Sequence, residues 1–157
     1  MSENQDKLFM AEAIRLAQAA GEHGNEPFGA VLVKDGEIVA AHENGIHTNH
    51  DYTDHAEIGL IREFSAKTGI TDYSDYTLYA SCEPCLMCSG AIAYVKMGAL
   101  VYAASNEELQ EIVGRKGYNV SKIVFDHSYH QPVVRTGVLR EESLQVLREF
   151  FKTHKKA

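Results

Sequence analysis

The sequence has few cysteines, no long apolar stretch and no excess of positive charge. Its 157 residues include three cysteines, too few for the disulfide framework of a small secreted domain. No segment approaches the ~20 consecutive apolar residues that a membrane-spanning helix needs, and the polar start of the chain does not resemble a signal peptide. We therefore expect a cytoplasmic protein in a reducing compartment, with no membrane partner.

Length and composition are those of an ordinary globular enzyme. Hydrophobic residues make up 45% of the chain and charged residues 24%, which is enough apolar material for one sizeable core. We find no internal repeat, low-complexity tract or linker, so we expect a single domain over residues 1–157.

The residues that indicate chemistry are His55-Ala56-Glu57 and the later segment Pro84-Cys85-Leu86-Met87-Cys88. One imidazole and two thiolates suit Zn²⁺, and three protein ligands leave the fourth position open, as in catalytic rather than structural zinc sites. The sequence therefore predicts that His55, Cys85 and Cys88 bind zinc. The carboxylate of Glu57, beside the metal, is then the general acid and base that moves protons.

Each half of this pattern has another interpretation when taken alone. Asp54 and Glu57 are spaced like a capping box, in which Glu57 would only bond back to a helix start. Cys85 and Cys88 could be a redox pair or half of a structural zinc site. The combination in this order, with proline directly before Cys85, favours catalysis. We expect Cys82 to be a small buried residue rather than a ligand.

Hydrophobic periodicity predicts the element order α-β-β-α-β-α-β-α-β-α. This order predicts an α/β fold, a three-layer α/β/α sandwich around a five-stranded mixed sheet. The five strands are predicted over residues 28–33, 37–41, 77–80, 100–103 and 121–125.

The two motifs together resemble the zinc deaminases of the cytidine/deoxycytidylate deaminase superfamily, in which H-x-E is followed by P-C-x-x-C. The resemblance spans nearly the whole chain. It implies a cytidine deaminase-like fold, a zinc cofactor, a homodimer and the hydrolytic replacement of an exocyclic amino group by oxygen, with release of ammonia.

Within that superfamily two segments are similar to guanine deaminases, namely Pro27-Phe28-Gly29-Ala30-Val31 and Ser81-Cys82-Glu83-Pro84-Cys85. The resemblance implies that Phe28 helps to form the base pocket, that Asn44 hydrogen-bonds the ring, and that the backbone N–H of Ala56 is a further donor. Phe28 could equally be a core residue, and Asn44 before Gly45 could simply form a turn. We expect a free nucleobase or nucleoside as substrate, with guanine favoured.

Other features favour different substrates. The region after Ala104 lacks the Asp-rich segment of guanine deaminases, whereas Thr136-Gly137-Val138-Leu139 and the helix with Phe150 and Phe151 resemble the end of bacterial tRNA adenosine deaminases. Cytosine or an aminotriazine is a further alternative, as is a degenerate, non-enzymatic binding module with structural zinc.

Net charge argues against an RNA substrate. The formal net charge is −7, whereas an RNA-binding surface needs cations to neutralise phosphates. A small basic tail of Lys152, Lys155 and Lys156 is more typical of a solvated helix end. We therefore expect nucleic acid to be an unlikely partner.

Overall fold

The computed structural model describes residues 2–154, so Lys155 and Lys156 of the predicted basic tail lie outside the described residues. Six helices and five strands follow one another in these residues. In chain order they are α1 (Glu3–Glu22), β1 (Gly29–Lys34), β2 (Glu37–Glu43), α2 (Ala56–Thr68), β3 (Thr77–Cys82), α3 (Leu86–Tyr94), β4 (Ala99–Ala104), α4 (Asn106–Ile112), α5 (Val120–Asp126), β5 (Val133–Thr136) and α6 (Arg140–Thr153).

The five strands form one mixed sheet in the order β2-β1-β3-β4-β5. Strand β1 runs antiparallel to both β2 and β3, whereas β3, β4 and β5 are parallel. The predicted five-stranded mixed sheet is therefore confirmed. The carboxyl ends of β3 and β4 lie side by side, since Cys82 pairs with Ala104.

Helices cover both faces of the sheet. On β3, Leu78 and Ala80 belong to the core that contains residues of α2, α3 and α5, whereas Tyr79, which points to the other face, packs with residues of α1. This alternation follows from the two-residue period of a strand. Buried apolar residues on both faces are expected for strands covered by helices. The three-layer α/β/α sandwich is confirmed.

The predicted fifth strand over residues 121–125 is wrong, because these residues form α5. Ser121 and Phe125 are buried one helical turn apart, whereas Ile123 between them is 53% exposed. A short apolar run cannot distinguish a strand from a buried helical turn. The actual fifth strand, β5, is a four-residue edge strand with exposed Val133 and Val134, which gives little hydrophobic signal.

Helix α1 is 20 residues long but amphipathic, with Phe9, Met10 and Ala13 buried on one side. None of the helices within residues 2–154 has the combination of length and apolar character that crossing a membrane requires.

A buried carboxylate links helix α1 to two strands of the sheet, β3 and β5. Asp6 of α1 accepts hydrogen bonds from Nε and Nη2 of Arg135 on β5, both at 2.9 Å, and from the hydroxyl of Tyr79 on β3. Burial raises the pKa of Asp6, but the hydrogen bonds from Arg135 and Tyr79 outweigh it, so the pKa lies below its ordinary value. The ionised carboxylate therefore stabilises the packing of α1 on the sheet.

Candidate metal centre and active-site cavity

The three candidate zinc ligands lie at the starts of two helices on the same side of the sheet. His55 is the N-cap residue of α2, and Cys85 is the N-cap residue of α3. Cys88 lies within the first turn of α3 and is fully buried. Strand β3 ends at Cys82, so the short segment after it delivers Cys85 directly to the position beside α2.

The donor atoms fit a tetrahedral zinc ion. The ligand atoms of His55, Cys85 and Cys88 all lie within 4.8 Å of one another, and His55 Nδ1 is 3.5 Å from Cys85 Sγ. Zinc–nitrogen and zinc–sulfur bonds at a tetrahedral angle place these two atoms about 3.6 Å apart. Within residues 2–154 this is the one group of at least three His, Cys, Asp or Glu side chains with that proximity.

The pKa values of the Cys85 and Cys88 thiols are shifted in opposite directions because the two thiols share a hydrogen bond. The pKa of Cys85 is lowered, first by the hydrogen bond from the thiol of Cys88 and also by His55. The pKa of Cys88 is raised because its proton is held in that bond and because the thiol is buried. A dication in the same place favours thiolate on both sulfurs.

Glu57 is buried in the first turn of α2. Burial, together with the negative charge of Cys85, raises the pKa of Glu57 to about 7. A carboxyl with this pKa can both accept and donate a proton near neutral pH. The capping-box interpretation does not fit, because α2 has no side-chain capping hydrogen bond and its N-cap residue is His55 rather than Asp54.

Asp54 instead holds together the segment that leads to His55. Its Oδ1 is 2.8 Å from His42 Nε2 on β2, and its Oδ2 accepts a hydrogen bond of 2.7 Å from Asn49. Two glycines make room for this carboxylate: a Cβ on Gly45 would lie 2.2 Å from Asp54 Oδ2, and one on Gly59 would lie 2.5 Å from Oδ1. The loop between β2 and α2 is thus fixed from both sides.

A cavity of about 110 Å³ opens next to the candidate ligands. Its lining combines predicted site residues with others that follow β3 or belong to α4: Phe28, His55, Glu57, Cys82, Glu83, Cys85, Asn106, Leu109 and Gln110. Phe28, for which the resemblance implies a role in a base pocket, is among the lining residues. Cys82 is buried, as predicted, and is outside the candidate ligand group.

Asn44 and Ala56 are buried but are not among the residues that line the cavity. The Oδ1 atom of Asn44 accepts hydrogen bonds from the backbone N–H groups of Glu26 at 3.3 Å and Ile46 at 3.2 Å. Ala56 is the first residue of α2, where backbone N–H groups have no acceptor within the helix. Their contacts with a substrate stay predictions.

Three polar residues of the cavity wall are not predicted by the sequence motifs, namely Glu83, Asn106 and Gln110. Glu83 was visible only as part of a motif, and its position beside Cys82 and Pro84 was the one available signal. Asn106 and Gln110 lie four residues apart on α4, so they share a helix face, but nothing in the sequence relates α4 to the zinc motifs.

The protein-family model that describes the cytidine and deoxycytidylate deaminase zinc-binding region matches residues 3–104, which is more than half of the chain. A tRNA-specific adenosine deaminase of Bacillus subtilis is 36% identical over 152 residues, covering 97% of this chain and 92% of the relative. A guanine deaminase of the same organism is 42% identical over 106 residues, covering 67% of this chain and 68% of the relative.

A solved structure from work on A-to-I editing by tRNA:A34 deaminases superimposes with a TM-score of 0.77 and 33% identity, covering 88% of this chain and 97% of that one. The chain spans only 24% of the length of another relative, a tRNA(Ile)-lysidine synthase of Deinococcus radiodurans, with 40% identity over 143 residues. The fold expected from the resemblance, cytidine deaminase-like, is confirmed.

The expectation that nucleic acid is an unlikely partner is wrong, because deaminases named for action on tRNA match nearly the whole chain. Net charge is a poor predictor of RNA binding because it sums the charges of the whole protein and carries no information about the charge beside a site. The chain belongs to the cytidine and deoxycytidylate deaminase family and is a zinc-binding hydrolase that acts on carbon–nitrogen bonds.

Proposed function

We propose that this protein removes the exocyclic amino group of a purine by zinc-dependent hydrolysis, with an adenosine in tRNA as the first candidate substrate. The observation that carries the proposal is the convergence of His55, Cys85 and Cys88 with the buried carboxylate of Glu57 at one cavity. A purine base that enters this cavity would meet a metal, a proton carrier and a flat aromatic side chain, Phe28.

In this proposal His55, Cys85 and Cys88 hold the zinc ion. A zinc ion held there would act as a Lewis acid and lower the pKa of water, so that hydroxide is available as a nucleophile near neutral pH. Glu57 accepts one proton of the attacking water and transfers it to the ring nitrogen next to the reacting carbon. It then accepts the proton of the hydroxyl group added to that carbon and delivers it to the amino group, which leaves as ammonia while the carbonyl forms. Its pKa of about 7 suits both directions of proton transfer.

The remaining predicted residues orient the ring. Phe28 packs on the face of the base, where a flat apolar surface is favourable. We propose that Asn44 and the backbone N–H of Ala56 hydrogen-bond the base edge once substrate is bound, since Ala56 directly follows His55 and the backbone N–H of Asn44 bonds to Phe28 of the cavity wall. An asparagine amide can supply both a donor and an acceptor.

Coverage supports tRNA as the first candidate. The tRNA-specific relative extends over 97% of this chain, whereas the guanine deaminase match covers 67% of it. Enzymes of this chemistry take the target base out of its stack and into a pocket, so a cavity that admits one base does not exclude a polynucleotide. Guanine is the second candidate, favoured by the higher identity of its shorter match and by the segments around Phe28 and Cys85.

The experiment is ammonia release by the zinc-loaded protein from an anticodon stem-loop with adenosine at the wobble position, from guanine and its nucleosides, and from cytosine and aminotriazines. Glu57→Gln should retain zinc and lose turnover by two or more orders of magnitude, whereas Glu37→Gln, an exposed acid on β2, should behave like wild type. Full activity of Glu57→Gln contradicts the assigned role. No release from any substrate, with zinc bound, would instead favour a non-catalytic binding module.

We also propose that the protein is a homodimer. Leu86 and Tyr94, at the two ends of α3, are 69% and 75% exposed, and large exposed apolar side chains on one helix are typical of an association surface. Sedimentation should give a dimer mass for wild type and a monomer mass for Tyr94→Glu. A monomeric wild type would contradict this proposal without affecting the chemistry.

A further inference from the structure

Glu83 is a buried carboxylate that the proposed mechanism does not use. It follows β3, stands two residues before Cys85 and lines the cavity, and it is only 6% exposed. A buried carboxylate is costly unless hydrogen bonds compensate the loss of water. The hydrogen-bond partners of Glu83 therefore indicate the role of its carboxylate.

Both oxygens of Glu83 accept hydrogen bonds from the starts of two helices. Oε1 accepts from the backbone N–H of Asn106, the first residue of α4, at 2.9 Å. Oε2 accepts from the backbone N–H of Ser121 at 2.9 Å and from its hydroxyl at 2.7 Å, near the start of α5. Because N–H groups in a first helical turn have no acceptor within the helix, one side chain fixes two helices to the segment that carries Cys85.

The helix start held by Oε1 carries part of the cavity wall. The side chain of Asn106 donates to the carbonyl oxygen of Tyr118 at 2.9 Å and accepts from Gln110 Nε2 at 3.2 Å. The loop around Gly117 packs directly on this turn, since a Cβ there would lie 2.8 Å from the carbonyl oxygen of Asn106. Asn106 and Gln110 thus form a polar wall, which we call the amide wall, and Glu83 bonds to the first residue of this wall.

We propose that Glu83 is a positioning residue that holds the amide wall in register with the zinc ligands, and that the amides of Asn106 and Gln110 hydrogen-bond the substrate ring. This inference rests on the proposed function, because the wall contacts substrate only if the cavity receives the base. Amide side chains suit the task because each has donors and acceptors. Glu83 acts through Asn106 and touches no reacting atom.

The test begins with Glu83→Gln, which keeps the size of the side chain but directs an NH₂ group at backbone N–H donors. We expect zinc content to stay at the wild-type level, KM to rise at least tenfold with a much smaller change in kcat, and the amide protons of Asn106 and Ser121 to exchange at least tenfold faster by NMR. Glu107→Gln, an exposed neighbour on α4, is the matched control and should change none of these.

Asn106→Ala separates positioning from folding, because it removes the side chain but keeps the backbone N–H that Glu83 binds. It should raise KM without changing exchange at Ser121. The double variant should have a KM no higher than that of the worse single variant, since both changes disrupt the same wall. If Glu83→Gln does not fold, Ser121→Ala, which removes the hydroxyl hydrogen bond to Oε2, should give a smaller shift in the same direction.

The two proposals fail in different ways. A wild-type protein that turns over no substrate defeats the proposed function, while amide exchange still decides whether Glu83 fixes the two helices. Unchanged exchange in Glu83→Gln overturns the positioning role whatever the activity. A wild-type KM in Glu83→Gln, or KM effects that multiply in the double variant, also overturns it.

Discussion

Gly59→Ala is expected to destabilise the protein, although the same change usually stabilises a helix. Gly59 lies in α2, one turn after His55, and alanine in a helix interior is favoured over glycine by about 1 kcal/mol. Here, however, the added Cβ would lie 2.4 Å from His42 Nε2 and 2.5 Å from Asp54 Oδ1. Carbon cannot approach nitrogen or oxygen so closely, so the contact between His42 and Asp54 must open.

The cost of opening that contact exceeds the gain in helix propensity. Only 18% of the His42 side chain and 4% of the Asp54 side chain are exposed, so water replaces the lost hydrogen bond poorly. A hydrogen bond to a charged group contributes about 1.5–3 kcal/mol, which leaves a net loss of about 0.5–2 kcal/mol for Gly59→Ala. For a chain of this size each kcal/mol lowers Tm by roughly 2–4 °C, so we expect a decrease of roughly 1–8 °C.

Calorimetry of the zinc-loaded protein measures this change, and a second background identifies its cause. In His42→Ala the hydrogen bond is already absent and the space beside Gly59 is larger, so adding Gly59→Ala should cost much less than it does in wild type. An increase in Tm for Gly59→Ala in the wild-type background would show that helix propensity dominates. An equal loss in both backgrounds would show that the cause lies elsewhere in α2.

Two further predictions concern buried charge and metal binding. Asp6→Asn should lower the free energy of unfolding by about 2 kcal/mol at pH 7. The pKa of folded Asp6 lies below its unfolded value near 4, so this contribution is present above that value and is lost as the pH falls through the folded pKa. Urea titrations of wild type and variant should therefore converge as the pH is lowered below the unfolded pKa, and a constant difference would contradict the assignment. Cys88→Ala should lose zinc while Cys82→Ala keeps one zinc per chain by elemental analysis, and zinc loss from Cys82→Ala alone would reverse the assigned ligands.

The sequence predicted those parts of the site that depend on short-range spacing. His55 and Glu57 are two residues apart, and Cys85 and Cys88 are three apart, so local helical geometry and the preference of zinc for imidazole and thiolate are enough to group them. Glu83 and Asn106 meet only because β3 and β4 are parallel neighbours, with Cys82 paired to Ala104. No local pattern records such a pairing.

The same distinction explains the error in the fold. The residues Ile123, Val124 and Phe125 in helix α5 are β-branched or aromatic and so favour a strand locally, but propensity is a weak guide when packing decides the outcome. Phe125 is buried in the core with residues of α2 and α3. The backbone N–H of Ser121 is held by Glu83. Both interactions come from distant parts of the chain and favour the helix.

Strand direction explains why site residues from distant parts of the chain meet at one end of the sheet. Ligand sites in open α/β sheets lie outside the carboxyl ends of the strands, and Glu83 and Asn106 follow the carboxyl ends of β3 and β4. Strand β1 is antiparallel to β3, so its amino end, preceded by Phe28, lies at the same end of the sheet.

The hairpin partner β2 reverses direction once more, and Glu43 pairs with Gly29. Asn44 therefore leaves the sheet beside Phe28, and its backbone N–H bonds to the carbonyl oxygen of Phe28 at 3.0 Å. The loop that follows then brings His55 to the start of α2. The antiparallel hairpin of β1 and β2 beside the parallel strands β3, β4 and β5 thus brings together the candidate metal ligands, the aromatic residue and the amide wall, whichever base the cavity receives.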